Sequence, residues 1–318
     1  MGFFRRHGAG GYGREWVPVW IGNRLSFDRE CVLFIVMASL AHLAAGIGKD
    51  RTMNRRTFLT STGGLAVGLL ATRSTIAFAQ GTPTSGEFPE LTITITDDGF
   101  DIPEGLTAGR YAVRVVNNGT GPSHSSLGRL PDGTTQDEVT AFMTTESEEL
   151  PDWFLNAGYV GLPDWPAPGA AITGIVDLPA GDYFMFDPFS TRSAFATVAS
   201  GEMPATEPDA TATVELTEMH FILPESGLPS GTSVLKISNI GAIAHEFQVL
   251  AVPEGTTADQ VIALFSMPED ATPEPGNALQ ESLSTYQPVA ATSIIGAGIT
   301  SWIDANLAPG TYAVVCAL

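Results

Sequence analysis

"ATVELTEMHFILPESGLPSGTSVLKISNIGAIAHEFQVLAVPEGTTADQVIALF" runs from Ala212 to Phe265, and the chain carries a second version of it. "LTITITDDGFDIPEGLTAGRYAVRVVNNGTGPSHSSLGRLPDGTTQDEVTAFM", from Leu91 to Met143, follows the same order. Phe100 and Pro103 answer to Phe221 and Pro224, and Asn118 and His124 to Asn239 and His245. "PDGTTQDEV" from Pro131 answers to "PEGTTADQV" from Pro253, and "LPAGDYFMFD" from Leu178 to "LAPGTYAVVC" from Leu307. The chain therefore holds two copies of one unit, 91–202 and 211–318, joined by the Pro- and acid-rich linker 203–210.

Within each copy the periodicity is that of strands. Ile93 and Ile95 alternate with threonines, and Val214 and Leu216 alternate with Thr and Glu, as half-buried strands require. Tyr111–Val116 and Ser233–Ser238 alternate likewise, and Gly, Pro and Asn clusters separate the runs. The spacing predicts an all-β chain of two tandem antiparallel sandwiches. One short helix per copy is expected, at Thr135–Met143 and Thr257–Phe265, with Thr134 and Thr256 as caps. Thr144–Gly169 and Met267–Gly298 read as long Pro-rich loops, the first carrying Trp153, Tyr159 and Trp165 as core cover.

Charge is divided unevenly over the 318 residues. Residues 1–79 hold ten Lys+Arg against four Asp+Glu, net +6, whereas residues 80–318 hold five against thirty-one, net −26. So acidic a body repels phosphate backbones and anionic lipid, so neither nucleic acid nor a membrane surface is an expected partner. The two cysteines, Cys31 and Cys316, fall in different regions, so no disulfide framework is expected and Cys316 is an unpaired thiol.

The basic region contains "MNRRTFLTSTGGLAVGLLATRSTIAFAQ", Met53 to Gln80. Arg55-Arg56, a mildly apolar Gly-containing segment and the small-residue pattern Ala77-Phe78-Ala79 resemble a twin-arginine export signal. The resemblance implies a leader over 53–79, a linker over 80–90, and an exported protein, periplasmic or extracellular. Residues 1–52 then read as an over-extended start. Their sixteen-residue apolar run, Val32–Ile47, is shorter than the ~20 residues of a spanning helix. A membrane tether through an uncleaved amino terminus is the alternative.

The second copy carries "SNIGAIAHEF" (Ser238–Phe247) and "APGTYAVVC" (Ala308–Cys316). Asn-x-Gly-x-x-x-His followed far downstream by Gly-x-Tyr-x-x-x-Cys resembles the cupredoxins, the plastocyanin-like blue copper proteins. The likeness extends in outline from Leu91 to the end. It implies a Greek-key sandwich in each copy, a copper cofactor, one-electron transfer with a redox partner protein, and His245 and Cys316 as metal ligands. Two imidazoles and a thiolate with a weak axial thioether suit both copper oxidation states. In the family a loop beyond the cysteine supplies the second histidine and the methionine, and a last strand follows. The sequence has no residues there, so the second unit is expected to lack its last strand and its site to be incomplete.

In the first copy Asp187 stands where Cys316 stands, so that copy is expected to be metal-free, with His124 capping a loop. His220, Met219 and Met267 read as surface or core residues rather than ligands. Residues 80–318 hold three histidines, none in the paired His-x-His spacing of multicopper oxidases, and no phosphate loop or hydrolase elbow. The expectation is a protein that is not an enzyme. A metal-free interaction or binding module is the alternative to electron transfer. Oligomeric state is not legible.

Overall fold

The computed structural model describes residues 88–144, 150–218, 220–265, 276–283 and 287–318, and the main-chain course of 32–37. The segment expected to be an export leader, all of residues 1–52 but 32–37, most of the 80–90 linker, Met219 and Met267 lie outside the described residues.

Among the described residues the first copy holds nine strands, the longer ones set by alternating apolar residues. They are β2 (Glu90–Ile95), β3 (Phe100–Asp101), β4 (Leu106–Thr107), β5 (Gly109–Asn117), β6 (Ser126–Arg129), β7 (Gly158–Tyr159), β8 (Ala171–Leu178), β9 (Gly181–Phe186) and β10 (Ser193–Ala199). The second copy supplies β11 (Ala212–Thr217), β12 (His220–Ile222), β13 (Gly231–Asn239), β14 (His245–Val252), β15 (Ala290–Ile295), β16 (Thr300–Leu307) and β17 (Thr311–Cys316). β1 (Val32–Met37) precedes both. Each half is a sandwich around its own core. Ile93, Val113, Val176 and Met185 are buried in the first, and Val214, Ile237, Phe247, Ile303 and Val314 in the second. The sandwiches are not purely antiparallel: β2 pairs parallel with β5, as β11 does with β13.

The halves are fused edge to edge. One sheet of eight strands, β12-β11-β13-β16-β8-β5-β2-β3, runs through both. Its seam is the antiparallel pair β16–β8, in which Ile303 faces Gly174. These two residues are equivalents in the repeat that matches Leu178 to Leu307, so a pseudo-two-fold axis passes through the pair. The seam is tight: a Cβ on Gly174 would lie 2.4 Å from the Trp302 carbonyl oxygen. The opposite layer is also bridged. Tyr159–Asp164 pairs antiparallel with Ala291–Gly296 through the Val160–Ile295 and Pro163–Thr292 bridges. Trp302, fully buried, lies 4.9 Å beneath the Arg110 guanidinium of the first half. Arg110 is in turn held in a fork by Asp177, at 2.7 and 2.9 Å.

β9 of the first half is flanked by β10 of the same half. Among the described residues the second half has no strand equivalent to β10. Beside β17 lies instead β1, paired in parallel from Val32–Thr311 to Met37–Cys316.

The expected helices are α1 (Gln136–Thr144) and α3 (Ala258–Phe265). Their caps are Thr135 and Thr257, not Thr134 and Thr256. Each hydroxyl accepts from the third residue on, and Glu138 or Gln260 returns the bond to the cap's N–H, closing a capping box. Among the described residues each half holds one more helix than the one expected, α2 (Asp152–Leu155) and α4 (Ala278–Leu283), inside the long Pro-rich connections.

Candidate metal centre

The loop before each histidine is fastened by an asparagine. Asn239 donates to the Ile243 and Ile295 carbonyls at 2.7 and 2.9 Å and accepts from Gly241 N–H at 2.9 Å. Asn117 makes the same set, to Gly121 and Pro166 and from Gly119. The equivalent of Asn239 is thus Asn117, not Asn118, and the first copy has one extra residue in this loop. Asn239 fixes the turn that delivers His245 to the start of β14.

Cys316 arrives on β17, which pairs antiparallel with β14. Val249 faces Val314, and beyond this pair Cys316 lies two residues on along β17 and His245 four residues on along β14, past an irregularity in the β14 ladder. The His245 Nδ1 and Cys316 Sγ lie 3.8 Å apart, both residues buried. A metal takes imidazole nitrogen at about 2.0 Å and thiolate sulfur at about 2.3 Å, which at ~120° sets the two donors roughly 3.7 Å apart. The observed separation fits one ion between them. The sulfur also accepts the Glu246 N–H at 3.3 Å. His245 Nε2 is buried without a hydrogen-bond partner among the described residues.

Burial governs the protons here. It pushes the Cys316 thiol up to about 12, with the Glu246 carboxylate adding to the shift. Burial lowers the His245 imidazole below its ordinary value, against the opposing pull of Glu218. The metal-free pair is therefore a protonated thiol beside a neutral imidazole, and a metal taken up there releases the thiol proton.

No group of three or more His, Cys, Asp or Glu side chains converges as a metal site among the described residues. His220 is exposed on β12. The first copy is built differently at the matching pole. Asp187 is buried and bound by Arg192, Ser123 and the Phe189 N–H.

His124 does more than the loop-capping expected of it. It is buried, its Nδ1 bonded to Asp164 and its Nε2 2.9 Å from Glu246 Oε1 of the second half. Trp165 stacks on its ring at 5.1 Å and 16°, with Phe189 at 5.7 Å. Trp165 adopts φ 65°, costly for a bulky residue, where Asp164 is drawn in toward the imidazole. Burial alone would lower the His124 pKa, but Asp164 and Glu246 together outweigh it and hold the ring well above its ordinary value. Asp164 is itself raised by burial. The triad keeps a proton between the two halves.

Sequence reasoning missed Asp164 and Glu246. A signal was present: Glu246 and Gln248 stand two apart in "HEFQVL", a polar pair on one face of an otherwise apolar strand, and such a pair demands a partner.

No family model and no curated protein matches the chain. Solved structures similar to it include the reduced auracyanin of Roseiflexus castenholzii, 17% identical, covering 35% of this chain and 96% of that one, TM-score 0.22. The copper nitrite reductase of Nitrosomonas europaea is 11% identical over 71% of this chain and 93% of its own, TM-score 0.19. The blue copper oxidase of the same organism is 12% identical over 71% and 85%, TM-score 0.20. Similarity this low transfers no site. The set does correct one expectation. Two of these three are enzymes by name, so the absence of an enzymatic role does not follow from a sandwich of this kind, whose chemistry resides in loops rather than in the fold.

Proposed function

We propose that the chain is an exported copper protein that passes single electrons, with His245 and Cys316 as ligands. The supporting observation is the 3.8 Å approach of Nδ1 to Sγ at one buried pole, from the ends of two neighbouring antiparallel strands. Copper bound there supplies a one-electron couple; imidazole and thiolate suit its two states. The chain's own part is to hold the donors on a stiff sandwich, to exclude water, and to place an N–H on the sulfur. Softness of the thiolate favours the reduced ion. Export follows from the twin-arginine-like leader, and the acidic body keeps the mature protein off anionic membranes. A redox partner protein would meet the site through the loop before His245, where Ile240 and Ile243 are 55% and 57% exposed.

The test is addition of Cu(II) to the full chain, followed by dialysis and absorption spectroscopy. An intense visible thiolate-to-copper band, lost in Cys316→Ser and in His245→Ala, is the expected result. No band and no retained copper would instead favour the metal-free binding module.

A further inference from the structure

Glu246 stands between three groups. Its main-chain N–H donates to the Cys316 sulfur at 3.3 Å. Its Oε2 accepts from Gln248 at 2.8 Å, and its Oε1 lies 2.9 Å from the Nε2 of His124, on the other half of the molecule. Glu246 is 2% exposed, His124 5% and Asp164 4%, so water gives them little help. His124 is itself anchored at Nδ1 by Asp164, whose second oxygen accepts the Ser125 N–H at 2.9 Å. The Asp164 N–H is bound to the Ala291 carbonyl across the seam at 3.1 Å. The imidazole stacks on Trp165, and the tilted Phe189 ring packs against both. It has little room to turn, and both its nitrogens are engaged.

We propose that His124 is a positioning residue for the candidate metal centre: from the metal-free half it grips Glu246 and so holds the N–H of that residue on the Cys316 sulfur. The geometry stands without copper, and only its consequence for a bound ion rests on the function proposed above. The asymmetry of the repeat supports the division of labour. Ser125 occupies in the first copy the place of Glu246, so one half supplies the clamp and the other the sulfur. Hydrogen bonds to a copper-bound sulfur tune its redox behaviour. A histidine that sets this bond from across the seam would let the first sandwich tune the second.

The decisive experiment is residue-resolved amide hydrogen exchange on the full, metal-free chain. His124→Ala is compared with Leu91→Ala, a truncation in the first core away from the network. Exchange at the Glu246 amide is expected to rise about tenfold or more relative to Val113 in His124→Ala, and in step with Val113 in Leu91→Ala. His124→Gln, which keeps a donor toward Glu246, should restore most of the protection and serves as the comparison if the alanine variant does not fold. Equal relative exchange at Glu246 in both truncations would reduce His124 to general stability and overturn the proposal, as would no change at Glu246. In copper-loaded protein His124→Ala should shift the charge-transfer band. A native chain without any band would sink the copper reading, while the exchange comparison would still decide the role of His124.

Discussion

At the scale of single residues, the molecule turns on a buried proton. Removing His124 leaves two buried carboxylates facing each other, and breaking a buried ion pair in this way costs about 3–5 kcal/mol. Denaturant unfolding of His124→Ala should show a loss of that size. The pH dependence has a definite sign. The folded His124 holds its proton more tightly than the unfolded chain does, so its stabilisation is full below about 6.5 and fades as pH rises through the higher folded value. Asp164, also raised, acts in the same direction. The melting temperature should therefore fall from pH 6 toward pH 10, with a flatter profile in His124→Gln; a profile unchanged by that substitution would contradict the assignment. The meeting of His245 and Cys316 at one pole was legible in the sequence, because one follows the loop before its strand and the other ends its strand. Asp164 was not, since it lies in a loop and meets its partners only in three dimensions. Asn117 was missed in favour of Asn118 because two adjacent asparagines leave the alignment undetermined until the hydrogen bonds are seen.

Among the elements, the seam strands β8 and β16 carry the strongest constraint. Gly174 has no room for a side chain, so a methyl there must displace the Trp302 main chain. Gly174→Ala should cost about 1–3 kcal/mol by overpacking, whereas a glycine with open space around it, such as Gly121, should accept alanine with little loss. Chemical denaturation of the two variants compares them directly. The strands themselves were readable, because alternation states which face is buried. Their order was not: the parallel pairing of β2 with β5 and of β11 with β13, and the placing of β1 beside β17, depend on contacts between distant segments. The short helices α2 and α4 escaped because they span only four and six residues among prolines and acids, too little for a period to show.

At the scale of the whole molecule, the described residues of the two copies form one body. The repeat was plain in the sequence, and it suggested beads on a linker. The continuous eight-stranded sheet, the second bridge at Tyr159–Asp164, the Arg110–Trp302 contact and the His124–Glu246 pair join them instead. Units that share sheets lose their seam hydrogen bonds together, so calorimetry should show a single cooperative transition; two well-separated transitions would contradict the fused arrangement. The same fusion gives the first half a role although it lacks the cysteine, since it closes the pole at which the thiol and imidazole of the second half meet. That meeting is tested most directly by adding Cu(II) to the full chain and to its Cys316→Ser and His245→Ala variants, and recording visible absorption and retained metal after dialysis. A thiolate-to-copper band with copper retained in the native chain, and loss of the band in both variants, is the expected result. A native chain that stays colourless and releases all its copper would contradict the account.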